Sequence, residues 1–213
     1  MANSEATSTV RNYDADWSWD EARLHFKTAD PPFHHVLQRL NNPKEVDIKP
    51  AFESLARAIV GQQLSTKAAH TIWSRFSALY PEGVQPEVVL HASAEVHRGV
   101  GISGQKHRYI TDLSRHYLED PEAFDAVEGY SDADIISSWT KVKGLGQWTV
   151  QMHLMFQLQR PDVFPVDDLG VRRAMELALD IAKDSPKSVY EKRALVWSPF
   201  RTAASRFLWE SLN

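Results

Sequence analysis

The chain is expected to fold as an all-α protein, with two helical lobes and a cleft between them. Three observations lead there. Almost every apolar run repeats at three- and four-residue intervals, the period of a helix face; Phe52, Leu55, Ala56, Ile59 and Val60 show it most plainly. The runs are separated by Pro, Gly, Asn and Ser at positions that start or stop helices, and no convincing strand, internal repeat or low-complexity linker lies between them. The third is size and composition: 213 residues, 43% hydrophobic and 24% charged, suit one large globular domain or two small lobes.

Taken in order, residues 21–28 form a short amphipathic piece. Asp30-Pro31-Pro32 reads as a cap and helix start leading into 33–40, which Asn41-Asn42-Pro43 stops. Pro50 begins the long apolar helix, which breaks at Gly61-Gln62-Gln63-Leu64-Ser65. Ser65 or Thr66 can cap the next helix, 67–80, which Pro81 and Gly83 end. Residues 86–90 and 94–98 are short helices, 99–104 a turn, and 105–118 a helix with Tyr109, Ile110 and Leu113 inward. Ser131 to Asp134 open a helix over 135–141; another runs over 147–158. After a proline-bearing loop at 160–166, helices are expected over 172–182 and, split at Ser198-Pro199, over 190–212.

Composition excludes several chemistries. There is no cysteine, hence no disulfide, thiolate zinc site, iron–sulfur cluster or cysteine nucleophile. The nine histidines lack the i, i+4 spacing of a helical zinc pair, and neither a G-x-S-x-G elbow nor a phosphate-binding G-x-G-x-x-G is present. No apolar run approaches the ~20 residues of a membrane span, and the polar N-terminus has no signal-peptide core, so a cytosolic protein is expected. The formal charge of −4 gives no support to nucleic-acid binding, so any such contact must come from a local basic face and backbone amides.

The most informative segment is 142–149, VKGLGQWT. Gly144 and Gly146 flank one apolar residue between two helical runs. Two glycines in positive-φ conformation would give a tight hairpin whose amides point outward at a helix start. Such amides suit a DNA phosphate and read no base; an ordinary helix–turn–helix corner is the alternative. Basic residues gather near the turns: Lys67 and His70, Lys106 to Arg108, Lys141 and Lys143. Asp167 and Asp168 follow Pro165 at a helix start, where Asp is a good cap. Asp168 shares a helical face with Val171 and Met175 and should lean toward a cleft, leaving Asp167 to cap. A carboxylate beside a cleft can stabilise positive charge in a transition state. Gln62, Gln63 and Leu64 either cap a helix end or present a blunt side chain to a duplex. Trp148 and Trp209 stand out among seven tryptophans by position, although core packing is the default for Trp.

Four segments in this order and spacing, AIVGQQLSTKAA at 58–69, GISGQK at 101–106, VKGLGQWT at 142–149 and VFPVDD at 163–168, resemble the helix–hairpin–helix DNA glycosylases, and most of all the 3-methyladenine DNA glycosylase II group. The resemblance spans roughly residues 30–212. The polar, small-residue N-terminus is expected to be a disordered tail over 1–12, and the resemblance implies one glycosylase domain over 13–213, with one lobe at about 20–50 plus 160–213 and the other at about 51–159. The resemblance implies double-stranded DNA carrying alkylated bases as substrate and a damaged nucleotide rotated into the cleft; a monomer is the default expectation. Matched motif to motif, the catalytic aspartate falls on Asp168, the intercalating residue on Gln63 beside Leu64, and the base pocket on Trp148, Trp209, Met152 and Leu169. The phosphate contacts fall on Gly144 and Gly146, with Lys143, Lys67 and Lys106 nearby. A structural monovalent cation, sodium or potassium, would be held by main-chain oxygens of Thr140, Val142 and Leu145, with no other cofactor required.

The chain also departs from the family. Bifunctional members carry a lysine where Trp148 stands, so no Schiff-base nucleophile is available and no lyase step is expected. At this length the chain is expected to lack the β-rich N-terminal domain of bacterial members, and two pocket tyrosines are replaced by Met152 and Leu169. Two other readings stay open: a glycosylase for deaminated or mismatched bases, and a non-catalytic helix–hairpin–helix DNA-binding module.

Overall fold

The computed structural model describes residues 17–212; the tail expected over 1–12 lies outside the described residues. The all-α expectation holds: no strand occurs among the described residues. The helices are α1 Trp19–Ala29, α2 Pro31–Leu37, α3 Ala51–Gly61, α4 Thr66–Ser77, α5 Pro86–His91, α6 Ala94–Gly99, α7 Gly104–Glu119, α8 Glu122–Asp125, α9 Asp132–Trp139, α10 Gln147–Phe156, α11 Leu169–Ala178, α12 Lys187–Ala194 and, after a 3-10 turn at Leu195–Trp197, α13 Arg201–Glu210. None is long and apolar enough to cross a membrane.

Local sequence explains most starts. Ser18 closes a capping box with Glu21, Asp30 caps α2, and Ser65, Ser93, Ser103 and Ser131 cap α4, α6, α7 and α9 by accepting the N–H three residues on. Two expectations need correction. The helix expected over 172–182 begins three residues earlier and ends at Ala178, because Leu179 leaves helical geometry and Asp180 turns with φ 53°. Helix α8 is a single turn, too short to show a period.

The buried apolar residues form two clusters. One joins α3 to α10 and includes Phe52, Leu55, Ile59, Phe76, Ile110, Trp139 and Leu154. The other joins α1, α2, α11, α12 and α13 around Phe26, Phe33, Met175, Tyr190, Trp197 and Phe207. Trp209 packs against both. The chain passes from the first cluster to the second at Val163 and Phe164, just before Asp168. There Val163 N–H donates to Thr202 Oγ1 (3.1 Å), and Arg201 grips Asp162 with two hydrogen bonds of 2.7 and 2.9 Å. The aspartate-bearing turn is thus tied to α13 rather than left as a free loop.

Two histidines are buried within the first cluster. His153 lies 3.1 Å from Ser54 Oγ and edge-on to Trp139. His97 bridges Tyr80 (2.6 Å) and His107 (2.8 Å). Burial pushes His153 down to about 3, and burial together with neighbouring His107 pushes His97 down to about 4. Both stay neutral in the folded state, whereas in the unfolded chain each takes a proton near pH 6.5. Stability is therefore full above pH 6.5 and falls as pH drops below it. Between pH 6.5 and 5, urea unfolding should show uptake approaching two protons, and His153→Gln should remove about one of them. A unfolding midpoint independent of pH in this window would show that these histidines are not held neutral.

Candidate active site and nucleic-acid interface

Asp168 is where the two clusters meet chemically. It is the N-cap of α11 and half-buried. Its Oδ1 accepts the Val171 N–H (2.9 Å) and the Trp209 indole N–H (2.9 Å); its Oδ2 accepts the Trp148 indole N–H (2.8 Å). Trp148 stands in the first turn of α10 and Trp209 near the end of α13, so α10, α11 and α13 converge on one carboxylate. Gly170 permits this closeness: a Cβ there would lie 3.0 Å from Asp168 Oδ1 and 3.1 Å from the Trp209 indole.

The roles expected of the acidic pair are redistributed. Asp168 both caps and faces the tryptophans, because its two oxygens serve different donors. Asp167 does not cap; it is exposed and paired with Lys187 at the start of α12. Trp148 remains 44% exposed, available to a planar ligand. Met152 and Phe156 follow Trp148 at i+4 and i+8 on α10, both half-buried, and Phe156 stacks on Trp209 at 5.7 Å. Phe156 was not expected, yet the 148, 152, 156 spacing along one helix face is a readable signal. Leu169 is not with this group: it is 74% exposed and lines a hollow of about 330 Å³ with Arg172, Arg173, Glu176, Lys183 and Asp184. The first residue after a helix cap points away from the face shared by the cap and the residues at i+3 and i+7, so the expected pocket role of Leu169 is corrected.

The second candidate region is the hairpin between α9 and α10. Val142 and Leu145 are buried, and the Leu145 N–H donates to Val142 O (3.1 Å). Gly144 has φ +90°, and a Cβ there would lie 2.4 Å from the ring of Tyr109, so both conformation and space demand glycine. Gly146 does not share this conformation: it caps α10 with φ −82°, and a Cβ would meet open space. The N–H groups of Gly144 and Gly146 have no hydrogen-bond partner among the described residues. Below them, buried Asp112 of α7 accepts the Lys143 N–H (2.9 Å), with Lys143 Nζ 3.7 Å away; the Lys143 side chain is 75% exposed.

Beside the hairpin lies the break between α3 and α4. Gln63 is exposed with φ +58°, a left-handed conformation costing roughly 1–2 kcal/mol in a non-glycine residue. Leu64 is half-buried next to it. Gln62 Nε2 donates to Gly144 O (2.7 Å), and break and hairpin together line a hollow of about 470 Å³ that also includes Thr140, Val142, Leu145 and Lys106. Lys67 is exposed in the first turn of α4. Lys106 is a correction: its ammonium is turned inward and donates to Val60 O (2.7 Å) near the end of α3, and burial pushes its pKa down. The tie from Gln62 to the hairpin, and the places of Asp112 and Tyr109 beneath it, were not expected. They come from elements separated in sequence by 31 to 82 residues, and no local pattern announces such contacts.

The carboxylate between two indoles and the hairpin with its unpartnered glycine amides belong to a chain with recognisable relatives. Residues 56–199 match the model of the HhH-GPD superfamily of base excision DNA repair proteins. The chain belongs to that family. It is 31% identical over 201 residues to DNA-3-methyladenine glycosylase 1 of Schizosaccharomyces pombe, covering 91% of this chain and 88% of that one. The S. pombe 3-methyladenine DNA glycosylase Mag1, solved in complex with abasic DNA, superposes with a TM-score of 0.78 at 30% identity, covering 88% of this chain and 94% of that one. A DNA-3-methyladenine glycosidase from Bacillus halodurans gives 0.80 at 29% identity, with coverage of 92% and 89%.

The two hairpin glycines should respond differently to substitution. Gly144→Ala must either move Tyr109 or rebuild the turn, and should lose at least about 2 kcal/mol of stability. Gly146→Ala replaces one capping residue with a poorer one and should lose about 1 kcal/mol or less. Urea unfolding of both variants measures this, and equal losses would contradict the described hairpin.

Proposed function

We propose that this protein is a monofunctional DNA glycosylase of base excision repair, one that excises alkylated bases such as 3-methyladenine from double-stranded DNA. The observation that carries the reading is the Asp168 carboxylate, held between the indoles of Trp148 and Trp209 in a chain similar over nearly its whole length to enzymes with that name. Alkylation of a ring nitrogen makes the base cationic and a good leaving group, so little acid catalysis is needed. As the C1′–N bond breaks, its electron pair leaves with the base and the sugar becomes a cation. Asp168 stabilises that cation or orients the water that adds to C1′ and then releases a proton; one placed electrostatic group contributes about 3–4 kcal/mol. Trp148 and Trp209 offer electron-rich faces to a cationic base, a contact worth about 2 kcal/mol when desolvated. Trp209 is backed by Phe156, which fixes its plane. Gln63 fills the gap left in the base stack. With Trp148 after the hairpin glycines and no lysine at that position, hydrolysis proceeds without a lyase step.

DNA is held by the free amides of Gly144 and Gly146 at the start of α10, and by Lys143 and Lys67. A sodium or potassium ion fits the same hairpin. Thr140, Val142 and Leu145 line one hollow, and their carbonyls are the neutral, hard oxygens such an ion takes. When bound, it would add positive charge beneath the phosphate site. The protein acts as a monomer in this reading.

Release of free base from a panel of duplexes tests the substrate class. N-alkylated purines should be excised, and uracil or mismatched bases should not; the reverse order would overturn the reading. Asp168→Asn should lower single-turnover excision by about 10²–10³-fold. Asp167→Asn breaks only an exposed ion pair and should change it by less than about threefold. Equal losses would mean the catalytic carboxylate is misassigned.

Lys143→Glu should flatten the dependence of log K on log salt by about one unit, equally on damaged and undamaged duplex, because a phosphate contact conveys no lesion information. An unchanged slope would remove Lys143 from the interface.

A further inference from the structure

Two polar side chains next to the DNA face spend their donors inside the protein, and both act on the same five-residue break. Lys106, on the first turns of α7, donates from Nζ to the carbonyl of Val60 (2.7 Å), near the last residue of α3. Gln62, the first residue after α3, donates from Nε2 to the carbonyl of Gly144 (2.7 Å). Between these two ties stands Gln63, exposed and in a left-handed conformation that non-glycine residues avoid. Such strain persists only where the surroundings over-determine it. Backbone hydrogen bonds alone do little here: Gln62 N–H reaches Ile59 O at 3.3 Å and Leu64 N–H reaches Gly61 O at 3.2 Å.

We propose that Lys106 and Gln62 are positioning residues for Gln63: Lys106 fixes where α3 stops, Gln62 clips the break to the hairpin, and wedge and phosphate-binding amides are thereby preset in one register. Lys106 then contributes to lesion recognition without touching a phosphate. Both bonds end on carbonyl oxygens, so the function needs donors of the right length rather than charge at the DNA. The proposal rests on the reading of Gln63 as the residue that fills the vacated stack.

The experiment compares Kd for a duplex carrying an abasic-site analogue with Kd for an undamaged duplex, over a range of salt, in the full chain. Lys106→Met and Gln62→Met keep the apolar stems and remove the donors. Each should reduce the preference for the abasic duplex by about tenfold or somewhat less, the loss of one such hydrogen bond. Affinity for undamaged DNA and the salt slope should stay as in the wild type, whereas loss of a phosphate contact would flatten the slope by about one unit. Lys106→Arg, which retains a donor, should restore most of the preference. Adding Gln63→Ala to Lys106→Met should cost little more than Gln63→Ala alone, because the misplaced wedge is already ineffective. If Lys106→Met flattens the slope and weakens both duplexes equally, Lys106 is a phosphate ligand and the proposal fails. If Gln63→Ala removes the preference while Lys106→Met and Gln62→Met retain it, the wedge stands and the positioning role alone is overturned. If Gln63→Ala itself retains the preference, the reading of Gln63 fails and takes this proposal with it.

Discussion

Three N–H groups from three helices converge on the Asp168 carboxylate, and the arrangement of the site around it follows from that convergence. The Val171 amide belongs to α11 itself, the Trp148 indole to α10 and the Trp209 indole to α13. Helix α10 packs in one apolar cluster and α13 in the other, so the carboxylate sits at their seam. A helix N-terminus favours an anion at this point. The same hydrogen bonds that orient the carboxylate set the edges of the two indoles. Gly170 keeps the space beside them narrow, since even one methyl group would press on Asp168 and Trp209.

The hairpin and the break between α3 and α4, the proposed DNA face, are built by a different principle. Its parts are short turns, each stabilised by something distant: Tyr109 under Gly144, Asp112 under the Lys143 amide, Gln62 against the Gly144 carbonyl, Lys106 against the Val60 carbonyl. Polar groups that read as solvent-facing in the sequence are partly consumed by the protein. The side chains of Gln63, Lys67, His70, Arg108, Lys141 and Lys143 are exposed at these turns, the Gly144 and Gly146 N–H groups have no partner among the described residues, and the chain as a whole carries a formal charge of −4. Under the proposed function, such a face would hold DNA through backbone amides and a few local charges rather than through the charge of the whole chain.

Much of the fold was legible because helix starts are chemical. Ser65 and Ser131 announce α4 and α9, and Asp30 with two prolines announces α2. The end of α11 was not, since Asp180 adopts φ 53° where no glycine marks the turn. At the site, Asp168, Trp148 and Trp209 could be picked out from order and spacing, and Phe156 lay within reach of the same spacing argument. The finer assignments needed the third dimension. Which of two adjacent aspartates caps a helix depends on where the backbone turns, and the chain turns at Asp168. Whether a lysine faces DNA or a carbonyl depends on a helix end 46 residues away, which is why Lys106 reads as a basic surface residue in the sequence. Gly144 and Gly146 look equivalent in sequence, yet only Gly144 has positive φ, because one residue makes the turn and the other begins the helix.

The most direct test of the central convergence is the indole region of a ¹H–¹⁵N spectrum of the full-length protein, with Trp148 and Trp209 assigned by Trp→Phe variants. The account predicts that Asp168→Asn shifts these two resonances together and leaves the other five of the seven indoles in place. Movement of only one of the two, or of neither, would contradict the shared carboxylate on which the account depends.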